Sequence, residues 1–61
     1  MKLVENVKVA CDRAGITVSE LEKRAGLAEN AVYKWDRHSP GVDKVKRAAS
    51  VLGIPMDELT K

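Results

Sequence analysis

The side chains with the greatest capacity for recognition by hydrogen bonding are gathered between positions 29 and 37. A helix over this stretch carries on its outer face Glu29, Asn30, Tyr33, Lys34 and Arg37. Together they supply a carboxylate, a carboxamide, a phenol and two cations, which can donate and accept hydrogen bonds but form no catalytic set. The alternative is a solvated helix face, the commoner explanation of an exposed Asn or Glu on a short helix.

The remaining reactive residues favour neither catalysis nor metal binding. Cys11 falls on the apolar face of a predicted helix with no base beside it, which indicates a small buried hydrophobic residue and not a nucleophile. His38 is the single histidine, so the usual Cys/His ligands of a zinc site are missing. No paired carboxylates, Ser/His/Asp set or phosphate-binding glycine loop is evident. We therefore predict no enzymatic activity, no cofactor and no metal.

The composition is that of one small globular domain over residues 1–61. Hydrophobic residues make up 44% of the chain and charged residues 33%, which favours folding around a thin core. No run approaches the roughly 18 apolar residues of a membrane span, and the first ten residues lack the apolar segment of a signal peptide. The expected location is cytoplasmic. A core this small often gains stability by pairing, which makes a dimer plausible.

Apolar spacing and end signals divide the chain into helices. Gly15 and Gly53 follow two apolar stripes of helical period, at positions where a left-handed residue ends a helix. Pro55 opens the last helix, where its missing amide is no loss. The pattern predicts five helices, over residues 2–14, 18–25, 29–37, 42–52 and 55–60.

Residues 18–35 would form one long amphipathic helix but for Gly26. Glycine inside a helix costs about 1 kcal/mol relative to alanine, whereas just past a helix end it takes the left-handed conformation without penalty. Thr17 and Glu20 form a capping box, which marks a helix start. Gly26 is therefore predicted to be the corner between two short helices.

Two short helices joined by a tight glycine turn are typical of a helix-turn-helix. The chain resembles the Cro/CI-type domains of the lambda-repressor-like, or XRE, family over nearly its whole length. The residues that carry the resemblance are the segment SELEKRAGL, the apolar Val32 and Trp35, and the tail SPGVDKVKRAASVLGIPMDEL. It implies an all-α, compact five-helix lambda-repressor-like domain with the helix-turn-helix at helices two and three.

The function that this resemblance implies is sequence-specific binding of double-stranded DNA by a small Cro-like transcriptional repressor. The third helix enters the major groove, where the base-edge readers are Glu29, Asn30, Tyr33 and Lys34. Asn suits adenine, Lys guanine and Glu cytosine, whereas the partner of the tyrosine is open between a thymine methyl and a phosphate. Contacts to the DNA backbone are expected from Ser19, Arg37, His38, Ser39 and Lys44.

The resemblance also implies a homodimer on DNA. Two copies would place their recognition helices about one helical turn apart on a near-palindromic operator. The interface is expected around Ile54, Met56 and Leu59. No small-molecule ligand or membrane partner is evident, and a domain of a longer regulator is equally compatible.

Two positions depart from the family pattern. Ala28 stands where a Ser or Thr usually caps the recognition helix, which gives up about 1 kcal/mol of capping. Glu22 stands where many such sequences carry a small residue. Either the stem of its side chain lies along the partner helix, or the geometry of the Gly26 corner is slightly changed. Trp35 is predicted to be core and not a stacking platform for bases.

Charge is distributed in keeping with a nucleic-acid partner, although the net charge is only +2. Residues 23–47 hold seven basic and three acidic residues, while the segments on either side each carry a net charge of −1. The weak total charge and Ala28 leave a second hypothesis open. In it the chain is a protein-interaction module, antitoxin-like or host-factor-binding, that keeps the fold without specific DNA binding.

Overall fold

The computed structural model describes residues 3–38 and 40–61, which form helices and turns without a β-strand. Four α-helices run in the order α1 (Leu3–Ala14), α2 (Val18–Ala25), α3 (Val42–Leu52) and α4 (Asp57–Thr60). A three-residue 3-10 helix, Val32–Lys34, lies between α2 and α3. The all-helical prediction is confirmed, and no helix in the described ranges is long and apolar enough to cross a membrane.

The hydrophobic core is built from one face of each helix. It consists of Leu3, Val7, Cys11, Leu21, Ala25, Val32, Trp35, Val45, Ala48, Ala49 and Leu59. Helix α1 contacts all the other elements, and α2 also packs against α3. The 3-10 helix is therefore held directly against α1, and its buried residue is Val32.

The predicted bounds of the second and fourth helices are confirmed as α2 and α3. Helix α1 begins at Leu3, and the predicted start at position 2 lies outside the described residues. Helix α4 begins at Asp57 instead of Pro55, because the residues before it form a turn in which the Glu58 amide donates to the Pro55 carbonyl at 3.0 Å.

The predicted third α-helix over residues 29–37 is wrong. This stretch, hereafter the turn segment, is a series of tight turns whose backbone hydrogen bonds are mostly i→i+3, and only Val32–Lys34 is regular. Asn30 has a φ of 64°, which is incompatible with a right-handed helix that starts at position 29. Ala28 offers no capping oxygen to start such a helix.

The C-terminal segment is fastened to α1 by a side chain. The Asn6 amide group donates to the carbonyls of Leu59, at 3.0 Å, and Lys61, at 3.2 Å. Leu59 itself is fully buried. Of the three residues around which a dimer interface is expected, Leu59 lies in the core of one chain, whereas Ile54 and Met56 are partly exposed. The interface itself stays a prediction.

Candidate nucleic-acid interface

Thr17 caps the start of helix α2, as the sequence predicts. The Thr17 hydroxyl Oγ1 accepts a hydrogen bond from the Glu20 amide at 3.0 Å, and the Thr17 backbone is extended. The structure shows no bond from the Thr17 amide to the Glu20 carboxylate, which would be the other half of the capping box, and that carboxylate accepts from the Arg24 guanidinium at 3.1 Å. One side-chain cap therefore defines the start of α2.

Gly26 is the corner that the sequence predicts. Its φ of 71° and ψ of 28° are left-handed, and its amide donates to the carbonyls of Glu22 and Lys23. The next amide, that of Leu27, donates to the Glu22 carbonyl at 2.8 Å. These bonds end α2 and turn the chain into the turn segment.

The turn segment is anchored to the core by two residues three positions apart. Val32 is fully buried and Trp35 is 6% exposed, so the prediction that Trp35 belongs to the core is confirmed. The Asp36 carboxylate accepts from the Val4 amide at 3.4 Å, which links the segment to the start of α1. Packing against the core thus leaves the opposite side of the segment to solvent.

The four predicted base readers all lie on the exposed side of the turn segment, and they are Glu29, Asn30, Tyr33 and Lys34. Tyr33 is 48% exposed, a large fraction for an aromatic side chain. The segment brings these four together in a span of six residues without a regular α-helix. Their contacts with DNA remain predictions.

The predicted backbone contacts are spread over three elements. Ser19 is exposed in the first turn of α2, Arg37 and His38 are exposed at the end of the turn segment, and Lys44 is exposed in the first turn of α3. Ser39 lies outside the described residues. Of these residues, the structure brings Ser19 close to Glu29, one of the four predicted base readers, since both line one shallow concavity of about 320 Å³.

Two residues outside the sequence-predicted site, Lys8 and Glu22, contact it. The Lys8 ammonium on α1 lies 5.5 Å from the centroid of the Tyr33 ring, within the range of a cation–π interaction. The Glu22 carboxylate accepts from the amides of Asn30 and Val32 at 3.0 and 3.1 Å. The sequence gives a signal for the contact of Glu22, because a glutamate at position 22 is unusual for the family pattern. No neighbouring residue indicates the contact of Lys8 with Tyr33.

Most positive charge near the turn segment is not neutralised within the protein. In the part of the chain that the structure describes, ion pairs join Arg24 to Glu20 and Lys61 to Glu58. The cations of Lys34, Arg37 and Lys44 make neither of these pairs and lie in solvent. Their charges are therefore available to an anionic partner.

Cys11 lies near the buried side of the site, and its thiol is in an unreactive state. Its side chain is 2% exposed. Burial raises the pKa of the Cys11 thiol, and the negative charge of Glu22 raises it further. The neutral thiol is thus the form that the folded protein favours, which supports the interpretation of Cys11 as a core residue.

We expect Cys11 in the folded protein to react with iodoacetamide no faster than the chain opens, since the reagent needs an accessible thiolate. Because the pKa of the Cys11 thiol is higher in the folded chain than in the unfolded chain, its protonated form contributes to stability. This contribution is fully present below the pKa of the unfolded chain and is lost as pH rises through the pKa of the folded chain. The measurement is mass spectrometry of labelling against time, with the urea-unfolded chain as the control. Labelling of the native protein at the rate of the unfolded control would contradict the burial of Cys11.

Comparisons of the chain with protein-family models, with curated proteins and with solved structures each find no match.

Proposed function

We propose that this protein binds double-stranded DNA sequence-specifically and acts as a small transcriptional regulator of the Cro/CI type. Helix α2, the Gly26 corner and the turn segment form its helix-turn-helix in this proposal. The observation that carries the proposal is that the turn segment has one buried apolar side and one exposed polar side. Val32 and Trp35 bind it to the core, while its other side presents a carboxylate, a carboxamide, a phenol and an ammonium.

These exposed groups suit the edges of base pairs in the major groove. Asn30 can donate to and accept from adenine, Lys34 can donate to guanine, and Glu29 can accept from cytosine. The turn segment projects these groups from a 3-10 helix with its flanking turns, where the family pattern implies a longer α-helix. We infer that the segment enters the major groove only to a shallow depth. The side chains that precede Val32 in the sequence reach furthest into it.

The surrounding charges suit the DNA backbone. Lys34, Arg37 and Lys44 carry positive charges that no ion pair in the described residues offsets. Lys8 adds a fourth cation beside Tyr33. Contacts of this kind orient a protein on DNA without reading its sequence, and they make binding depend strongly on salt.

A dimer on DNA is part of this proposal. With Leu59 buried, the available apolar surface includes Val42, which is 64% exposed, and the partly exposed Met56. Both line one concavity of about 320 Å³ together with Trp35 and Pro40. We propose that the second copy packs there, next to the end of the turn segment, so that two such segments meet one operator.

The salt dependence of duplex binding tests this function against a protein-interaction role. The second role is favoured by one observation, the three-residue length of the helix in the turn segment. For DNA binding we expect log affinity to fall linearly with log salt, with a slope of about −0.9 for each phosphate contacted. Weak affinity with a flat salt dependence would favour the protein-interaction module.

We expect Arg37→Ala to weaken binding to all duplexes alike and to make the salt slope less negative by about 1, since one phosphate contact is lost. Arg13→Ala is the matched control, because it removes the same charge from the exposed last turn of α1. Fluorescence anisotropy at several salt concentrations measures both variants. Equal salt slopes for Arg37→Ala, Arg13→Ala and the unsubstituted chain would contradict a phosphate contact by Arg37.

A further inference from the structure

Glu22 is a charged side chain in the core, with only 3% of its surface exposed. A carboxylate removed from water is destabilising unless hydrogen bonds replace its hydration. Here both oxygens are used. Oε1 accepts from the Asn30 amide at 3.0 Å and Oε2 accepts from the Val32 amide at 3.1 Å. Charge-assisted bonds of this kind are stronger than neutral ones.

The two amides lie at the left-handed residue Asn30 and at Val32, the first residue of the 3-10 helix. Asn30 is the non-glycine residue with positive φ in the described chain, at 64°. Such a conformation persists where the surroundings hold it in place. Glu22 itself is held firmly, since Leu21 and Ala25 on the same helix are in the core. The carboxylate therefore joins a fixed helix to the left-handed residue Asn30 and to Val32, the first residue of the 3-10 helix.

Glu22 also replaces a missing cap. Ala28 has no side-chain oxygen for the first amides behind the Gly26 corner, and the 3-10 helix has no side-chain cap of its own. A carboxylate from the preceding helix accepts from two of those amides instead. A tertiary contact thus supplies these two amides with the acceptor that Ala28 cannot provide.

We infer that Glu22 is the positioning residue of the turn segment and, through it, a determinant of DNA sequence specificity. The part of this inference that concerns DNA rests on the proposed function. Side chains that bind specifically must be held within about 0.5 Å of the productive geometry. Glu22 supplies that restraint for Asn30 from the buried side, without touching the DNA.

The variant Glu22→Gln tests this inference. Its side chain has nearly the same shape but offers one oxygen acceptor and one NH2 donor, so one of the two amides loses its acceptor. Glu20→Gln is the matched control, because Glu20 is an exposed carboxylate on the same helix. The measurements are affinity for a selected duplex, affinity for an unrelated duplex, and hydrogen exchange of the Asn30 and Val32 amides.

The expected result separates positioning from a simple effect of charge. Removing a negative charge near DNA should by itself strengthen binding to every duplex. Positioning by Glu22 predicts instead that the ratio of selected to unrelated affinity falls about tenfold in Glu22→Gln, a loss comparable to one base contact. It also predicts exchange about tenfold faster at whichever of the Asn30 and Val32 amides loses its acceptor, since a charge-assisted bond is lost there. Neither effect should appear in Glu20→Gln.

Unchanged exchange at both amides, or an unchanged affinity ratio, would overturn the inference. If Glu22→Gln does not fold, the unsubstituted chain provides the test by NMR. A scalar coupling across the hydrogen bond should join the Val32 amide nitrogen to the Glu22 side-chain carboxyl carbon, and its absence would overturn the inference. A chain that folds but prefers no duplex sequence overturns the proposed function, and amide exchange then decides the positioning role alone.

Discussion

Gly26→Val should lower the free energy of unfolding by about 2 kcal/mol, because a β-branched residue strongly resists the left-handed conformation. Gly26 has a φ of 71° and ends α2. An added Cβ would meet no atom within 4 Å, so the cost is conformational and not a steric clash. In a core of this size, which supplies about 3–5 kcal/mol, the loss is roughly half of the stability. Urea unfolding measures it as a lower midpoint at an unchanged m-value.

Two other variants make this result specific. Gly26→Asn should cost far less than Gly26→Val, since asparagine tolerates the left-handed conformation. Gly41→Ser should be neutral or slightly stabilising, because Gly41 has a φ of −65° and serine is a good N-cap for α3. A Gly26→Val protein with the midpoint of the unsubstituted chain would contradict a left-handed corner at this position.

Asn30→Ala should weaken binding to the preferred duplex by about 1–3 kcal/mol, or about 5- to 150-fold, and relax the preference at one base position. The exposed carboxamide is the group in the turn segment best suited to bidentate recognition of adenine. Alanine removes it and also disfavours the φ of 64° at this position. Binding to variant duplexes, changed one base pair at a time, measures the preference.

Asn30→Gly separates readout from backbone conformation. Glycine accepts a φ of 64° at no steric cost, so the hydrogen bonds to Glu22 are kept while the carboxamide is lost. Readout by Asn30 predicts that Asn30→Gly and Asn30→Ala lose the same base preference, although only Asn30→Ala loses stability. Full preference in Asn30→Gly would mean that Asn30 serves the turn and not the base.

The helices that the sequence predicts correctly are those with distinct end signals. Thr17 caps the start of α2, and left-handed glycines follow α1, α2 and α3. In each case the signal and the conformation lie within one turn of the helix end, where side-chain caps and positive φ act. Local sequence is sufficient for such ends, which explains the agreement over residues 18–25 and 42–52.

The turn segment could not be predicted from local pattern. Val32 and Trp35, three residues apart, face the core equally well from an α-helix or from a 3-10 turn. The departure from an α-helix depends on Asn30 in a left-handed conformation and on Glu22, whose bonds reach 8 and 10 residues along the chain. These are tertiary contacts, and the period of apolar residues carries no information about them.

The sequence predicts which side chains of the candidate site are exposed, but it does not predict the contacts that hold the turn segment in place. Spacing correctly placed the polar residues of 29–37 opposite Val32 and Trp35, because that division follows from which side is apolar. The contact of Lys8 with Tyr33 and the bonds of Glu22 join different helices to the segment. Only the packing of α1 and α2 around the segment brings them there.

The most direct test of DNA binding is selection from a pool of random duplexes at about physiological salt, with protein shown to be folded by circular dichroism. The proposed function predicts enrichment of a near-palindrome whose half-site centres lie roughly 10 base pairs apart, as two copies on successive major grooves require. The same selection with Asn30→Gly should lose one base position in each half-site. No enrichment by the folded, unsubstituted protein would contradict sequence-specific DNA binding.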